Sequence, residues 1–173
     1  MRLTILSKSV LTIALLIAFS LTLVGLMLER RERAALEVQA IGKLEAQASL
    51  LSGEVAAARL EGDAWAHRAA TRTKSRVTVI APDGRVLADS DEPSSRMDNH
   101  ATRPEVVQAL AAGRGHAIRF SRTVNRDLVY FGQVVPQPGG HHLILRLAIP
   151  VGEITHGFSR FRRDFLGVAL VSL

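Results

Sequence analysis

The stretch Arg76-Val-Thr-Val-Ile-Ala-Pro-Asp-Gly-Arg-Val-Leu-Ala88 decides the fold. Two β-rich runs, Arg76 to Ala81 and Arg85 to Ala88, flank Pro82-Asp83-Gly84. Proline there pre-sets a turn dihedral and glycine accepts positive φ, so the segment reads as a β-hairpin. Downstream, Asp89 to His100 is polar and irregular. Thr102-Arg-Pro-Glu105 then has the form of a capping box, opening a short helix with Val106, Val107 and Leu110 inward and Gly113 as its stop. Three strands follow, His116 to Ser121, Leu128 to Val135 and Leu143 to Ile149, separated by turns at Asn125-Arg126-Asp127 and Pro138-Gly139-Gly140. In the last strand Leu143, Leu145, Leu147 and Ile149 alternate with Ile144, Arg146 and Ala148, the period of a strand. Strands in runs with segregated helices predict an α+β domain on a five-stranded antiparallel sheet.

Upstream, Ala34 to about Ala70 is rich in Ala, Leu, Glu and Arg without proline, and a long helix is expected over residues 29–70. Ile41, Leu44, Ala48, Leu51, Val55, Ala58, Gly62 and Trp65 recur at steps of three and four. That stripe is either a seam between two subunits, centred on Ile41, Leu44, Ala48, Leu51 and Val55, or the face that packs onto the chain's own sheet. Gly53 and Gly62 are the points at which the helix can break. Further upstream, Val10 to Leu28 is nineteen residues without a charge, close to the roughly 20 that cross a bilayer as a helix. A transmembrane helix over 10–28 is therefore expected, uncleaved because Leu26-Met27-Leu28 runs straight into Glu29-Arg30-Arg31. An exit helix is expected over 151–164, and the apolar 165–173, too short to span, reads as the start of a second membrane helix rather than a core helix.

The net charge of +6 raises the question of nucleic acid. Arg2, Lys8, Arg30, Arg31, Arg33, Arg160, Arg162 and Arg163 carry the excess, leaving the segment between the flanks nearly neutral. Basic residues at bilayer boundaries meet anionic head groups, so the lipid bilayer is the expected partner and nucleic acid is not. Asp89, Asp91 and Glu92, with Asp98 and His100 nearby, form an acidic cluster that hard cations favour, but the spacing matches no calcium loop. Arg119, Arg122, Arg126 and Arg146 are candidates to line an anion pocket, with Tyr130 beside them, or else to sit on an exposed sheet face. His141-His142 lies in a glycine-flanked turn and reads as an exposed pair. The sequence holds no glycine-rich phosphate loop, paired zinc motif or nucleophile elbow, and no residue is assigned a catalytic role.

Three blocks in order, Arg76 to Ser90, Met97-Asp-Asn-His-Ala101 with Arg103-Pro-Glu-Val106, and Leu145-Arg-Leu-Ala-Ile-Pro-Val151, resemble the sensor region of phosphate-regulon-type bacterial sensor histidine kinases. The resemblance covers most of residues 70–155 and implies a PAS/Cache-like domain over 71–150. It implies a cytoplasmic segment 1–9, an inner-membrane location with the sensor domain outside the cytoplasm, and a homodimer. It also implies signalling to a kinase core and a cognate response regulator, with ATP and Mg belonging only to that core, which this sequence lacks. A stand-alone membrane-tethered adaptor, or the sensor half of a chemoreceptor or diguanylate cyclase, fits the same layout.

Overall fold

The computed structural model describes residues 5–57, 61–121 and 125–151. Helix α1 spans Ile5–Ala56 and α2 Asp63–Thr73. Strands β1 (Arg76–Ile80) and β2 (Val86–Asp89) form the hairpin, a single 3-10 turn covers Ser94–Arg96, and α3 spans Pro104–Ala112. Strands β3 (Arg114–Ser121), β4 (Arg126–Pro136) and β5 (His142–Pro150) complete one antiparallel sheet in the order β2-β1-β5-β4-β3. The chain divides into two compact units, Met1–Leu36 and Glu37–Leu173.

The second unit is the α+β domain that the strand pattern predicts. On one sheet face Val77 and Val79 of β1, Val129, Phe131 and Val135 of β4, and Leu145, Leu147 and Ile149 of β5 form the main core. Ala40, Leu44, Ala48, Leu51 and Val55 of α1 and Trp65, Ala66 and Ala69 of α2 cover them. The stripe read from the sequence is thus buried within the chain at Leu44, Ala48, Leu51 and Val55, while Ile41 is half-buried. Polar contacts fix the two helices together. Glu54 accepts hydrogen bonds from Trp65 Nε1 and Arg72, both at 2.9 Å, and Gln47 Nε2 donates to the Thr73 carbonyl at 2.7 Å.

Helix α3 covers part of the opposite face, with Val106 and Ala109 packed on Ile80 and Ile144. It approaches closely because two glycines, Gly115 and Gly132, face each other across β3 and β4 beneath it. A Cβ on Gly115 would lie 2.5 Å from the Glu105 carbonyl oxygen, and one on Gly132 would lie 3.1 Å from the same atom. Gly113, at φ 81, ends the helix as expected.

Four expectations need correction. Among the described residues no helix is long and apolar enough to cross a membrane, which overturns the transmembrane helix over 10–28 and the inner-membrane anchoring built on it. The single helix over 29–70 is two helices, with Gly62 at φ 59 preceding α2. The capping box is absent. Arg103 is the N-cap without a side-chain bond, and Glu105 turns into the interior. Val107 and Leu110, expected inward, are exposed, because the glycines bring α3 down on its Glu105, Val106 and Ala109 side. The exit helix and the segment 165–173 lie outside the described residues, apart from Val151.

Close seating of α3 makes a steric prediction. Gly115→Ala should lower stability by about 1–3 kcal/mol, the usual cost of overpacking. Gly53→Ala in exposed α1, where nothing lies within 4 Å, should raise it by about 0.5–1 kcal/mol. Urea unfolding of both variants measures the pair, and a neutral Gly115→Ala would refute the close packing.

Candidate anion-binding site

Beside α3, on the face opposite the main core, lies a cavity of about 350 Å³. Its lining combines five arginines, Arg76, Arg96, Arg103, Arg119 and Arg146, with only two carboxylates, Glu92 and Asp98. His100, Tyr130, Met97, Phe120 and Ser121 complete it. Strand alternation builds the floor. Arg76 and Thr78 of β1, Arg146 of β5 and Tyr130 of β4 share the parity that points away from the helical core.

Glu105, without solvent exposure, is the charge about which the arginines are arranged. Arg119 grips it with both ends of its fork, Nη2 to Oε1 at 2.7 Å and Nε to Oε2 at 3.2 Å, and Arg146 Nη1 donates to Oε1 at 3.2 Å. Burial alone would raise the Glu105 carboxyl. The Arg119 hydrogen bond and the Arg146 and Arg119 charges outweigh burial and hold the group below the usual range. Arg146 Nη2 also donates to Thr78 Oγ1 at 3.1 Å. Tyr130 lies under both guanidinium groups, 3.9 Å from Arg119 and 5.1 Å from Arg146 at the ring centroid, a cation–π arrangement that accommodates buried positive charge.

Arg76 is matched separately by Asp89, at 2.9 Å. Asp89 also accepts from Thr78 Oγ1 at 2.7 Å and from the Asp91 and Glu92 backbone N–H groups. Its oxygens thus hold the chain turn after β2, and among the described residues no cluster of three or more His, Asp or Glu side chains is arranged to hold a metal. The loop is tied from a second side. Asp63, at the start of α2, accepts from the Asp89 and Ser94 backbone N–H groups at 2.9 and 3.1 Å.

His100 is set in place by the first hairpin. Its backbone N–H donates to the Gly84 carbonyl at 2.8 Å, and Asn99 Nδ2 donates to the Asp83 carbonyl. Gly84 is required there twice over: its φ is 86, and a Cβ would lie 2.3 Å from the Ala101 nitrogen. Three buried polar atoms of the lining, His100 Nδ1, Arg103 Nε and Arg146 Nε, have no hydrogen-bond partner. Each such group costs about 1–3 kcal/mol if left unsatisfied, and all three belong to residues of the cavity wall. Neither Arg96 nor Arg103 has a carboxylate partner among the described residues.

The structure brings Arg119, Tyr130 and Arg146 together as the sequence grouping suggested. Arg122 and the Arg126 side chain lie outside the described residues. His141 is exposed and His142 half-buried in the β4–β5 turn, which is not part of the cavity. Sequence reading missed Arg76, Arg96 and Arg103 as lining residues and Glu105 as their buried counter-charge. The signal for Glu105 was a capping-box glutamate beside an α3 of only nine residues, which is ambiguous without the position of the glycines.

No family model and no curated protein matches the chain. Solved structures do. The E. coli DcuS sensor domain matches with a TM-score of 0.52 and 11% identity, over 73% of this chain and 96% of that one. The sensor domain of the V. cholerae histidine kinase DctB matches with a TM-score of 0.50 and 16% identity, over 87% of this chain and 60% of that one. The chain therefore shares the fold of these two sensor domains.

Burial of the cavity groups predicts acid sensitivity. Burial, reinforced by the Arg146, Arg103 and Arg119 charges, pushes the His100 imidazole from 6.5 down to about 3. Below pH 6.5 the unfolded chain binds a proton that the folded chain refuses, so stability falls with pH, by at most about 1.4 kcal/mol per unit. Glu105 acts in the same direction, its contribution being present above its unfolded value of 4.5 and lost on further acidification. Thermal unfolding from pH 7 to 4 should show the decline, and His100→Asn should flatten it between about pH 6.5 and 4.5. An unchanged slope in that variant would refute the assignment.

Proposed function

We propose that the chain is the ligand-binding input module of a signal-transduction protein of the sensor-histidine-kinase kind, and that its stimulus is a small organic anion bearing a carboxylate. The observation that carries the ligand is the cavity itself: five arginines against two carboxylates around about 350 Å³. Guanidinium groups match carboxylates in planar, paired geometry, and Met97 and Phe120 give the lining an apolar surface for a short carbon skeleton. The volume suits a compact solute rather than a peptide.

The output half of the proposal has different support. DctB, whose sensor domain shares this fold, is a histidine kinase, and the three sequence blocks resemble phosphate-regulon-type kinases. A homodimer and a response regulator downstream belong to the same proposal and rest on that sequence resemblance alone. The chain supplies binding, and a kinase core elsewhere supplies the chemistry.

Titration of the full chain with acetate, oxalate, succinate and citrate tests the ligand class. At a hundredfold excess over Kd, binding should stabilise the fold by about 2.7 kcal/mol. Arg103→Met, removing one charge-assisted donor of about 1.5–3 kcal/mol, should weaken the best anion by about tenfold or more. Failure of every anion to shift the unfolding transition, or wild-type affinity retained in both Arg103→Met and Arg119→Met, would overturn the reading.

A further inference from the structure

The buried charges of the cavity do not balance. Arg76 is neutralised by Asp89, at 2.9 Å. Arg119 and Arg146 share the single carboxylate of Glu105, their side chains being 21% and 2% exposed against 0% for Glu105. Arg103 and Glu92, both half-buried in the lining, offset each other in number, so one positive charge is left over. If the anion reading of the cavity holds, a monoanion cancels that charge, whereas a dianion leaves one negative charge in a poorly solvated site. An uncompensated buried charge is costly and is relieved most simply by taking up a proton.

One titratable lining group is poised to receive that proton. His100 is 6% exposed, and its Nδ1 has no partner. It faces Arg103 and Glu105 from α3, Arg119 from β3, Tyr130 from β4 and Arg146 from β5. Arg76 of β1 and, from the loop that carries His100, Glu92, Arg96 and Asp98 line the same cavity. With the cavity empty, burial and the arginine charges keep the imidazole neutral. An anion among those arginines offsets the charges that oppose protonation, and its second negative charge favours the imidazolium directly.

We propose that His100 determines the charge of the anion the site accepts, taking up one proton when a dianion binds and none when a monoanion binds. Proton and dianion then favour each other reciprocally, as linkage requires. The free site holds His100 neutral above about pH 3, and the dianion complex holds it charged up to a higher pH. Dianion affinity therefore rises as pH falls, about tenfold per unit within that window, while monoanion affinity stays flat. Histidine is the side chain suited to such a switch in the neutral to mildly acidic range.

The test uses anions that do not themselves titrate appreciably over the range. Isothermal titration of the full chain at about pH 5.5 to 8 with sulfate and oxalate as dianions, and methanesulfonate and formate as monoanions, is run in cationic buffers of different ionisation enthalpy. The buffer dependence counts protons. Uptake approaching one at the acidic end for the dianions, and none for the monoanions, supports the assignment, as does loss of uptake and of pH dependence in His100→Asn. Equal uptake for both charge classes, or uptake that persists in His100→Asn, overturns it. The wild-type comparison decides the matter even if the variant does not fold. Failure of all four anions to bind at any pH overturns the anion reading itself, a result distinct from binding without differential proton uptake.

Discussion

A carboxylate with no solvent exposure stays ionised only when positive charge stands against it, and the cavity side of this domain is organised by that requirement at Glu105. Arg119 and Arg146 come from strands β3 and β5, on either side of β4, while Glu105 comes from the first turn of α3. The three meet because Gly115 and Gly132 remove the side chains that would hold the helix away. Seating α3 fixes its N-cap Arg103, and Arg103 N–H donates to the His100 carbonyl at 3.1 Å. The loop before α3 is thereby closed against the hairpin turn at Gly84. One buried ion triad determines where the helix lies, and the helix determines the cavity wall.

Breaking such a triad is expensive in a way that forming it is not rewarding. Burying charges consumes most of what their attraction returns, so an apolar replacement of the whole set is often neutral. The triad is better understood through what it leaves over. Two guanidinium groups against one carboxylate give a floor with residual positive charge, with Tyr130 beneath both. The Arg76–Asp89 pair is balanced and adds no net charge to the lining. The imbalance at Glu105 gives the cavity its sign.

Local rules reached the sheet and stopped short of the site, for identifiable reasons. Period-two alternation and proline-glycine turns recur in every strand and act over a few residues, so β1 through β5 were legible, including the even parity that put Arg146 opposite Leu145 and Leu147. The stripe on α1 was legible as apolar, while its partner was not: Leu44, Ala48, Leu51 and Val55 look the same whether a sheet or a second helix covers them. Glu105 misled because a glutamate three residues after a threonine satisfies the local capping pattern, whereas its actual partners lie 14 and 41 residues further on. Arg76 was counted as a strand residue because its balancing Asp89, 13 positions away, is a neighbour only in the folded hairpin. The apolar run 10–28 was judged by composition. Among the described residues no helix is both long and apolar enough to cross a membrane.

The sheet gives the cavity a mechanical connection to the helices. Successive residues of a strand point to opposite faces, so Arg146, which touches Glu105, is flanked in the chain by Leu145 and Leu147, which belong to the core under α1 and α2. Strand β1 repeats the arrangement, with Thr78 bonded to Arg146 between Val77 and Val79. A shift of the backbone at Arg146 is shared by both faces, because that backbone also carries Leu145 and Leu147, which pack in one core with Leu44, Leu51 and Val55. Close-packed interiors respond to such displacements by shifting elements rather than by deforming continuously. β5 and β1 thus join the cavity floor to the core beneath the Glu37–Ala56 part of α1.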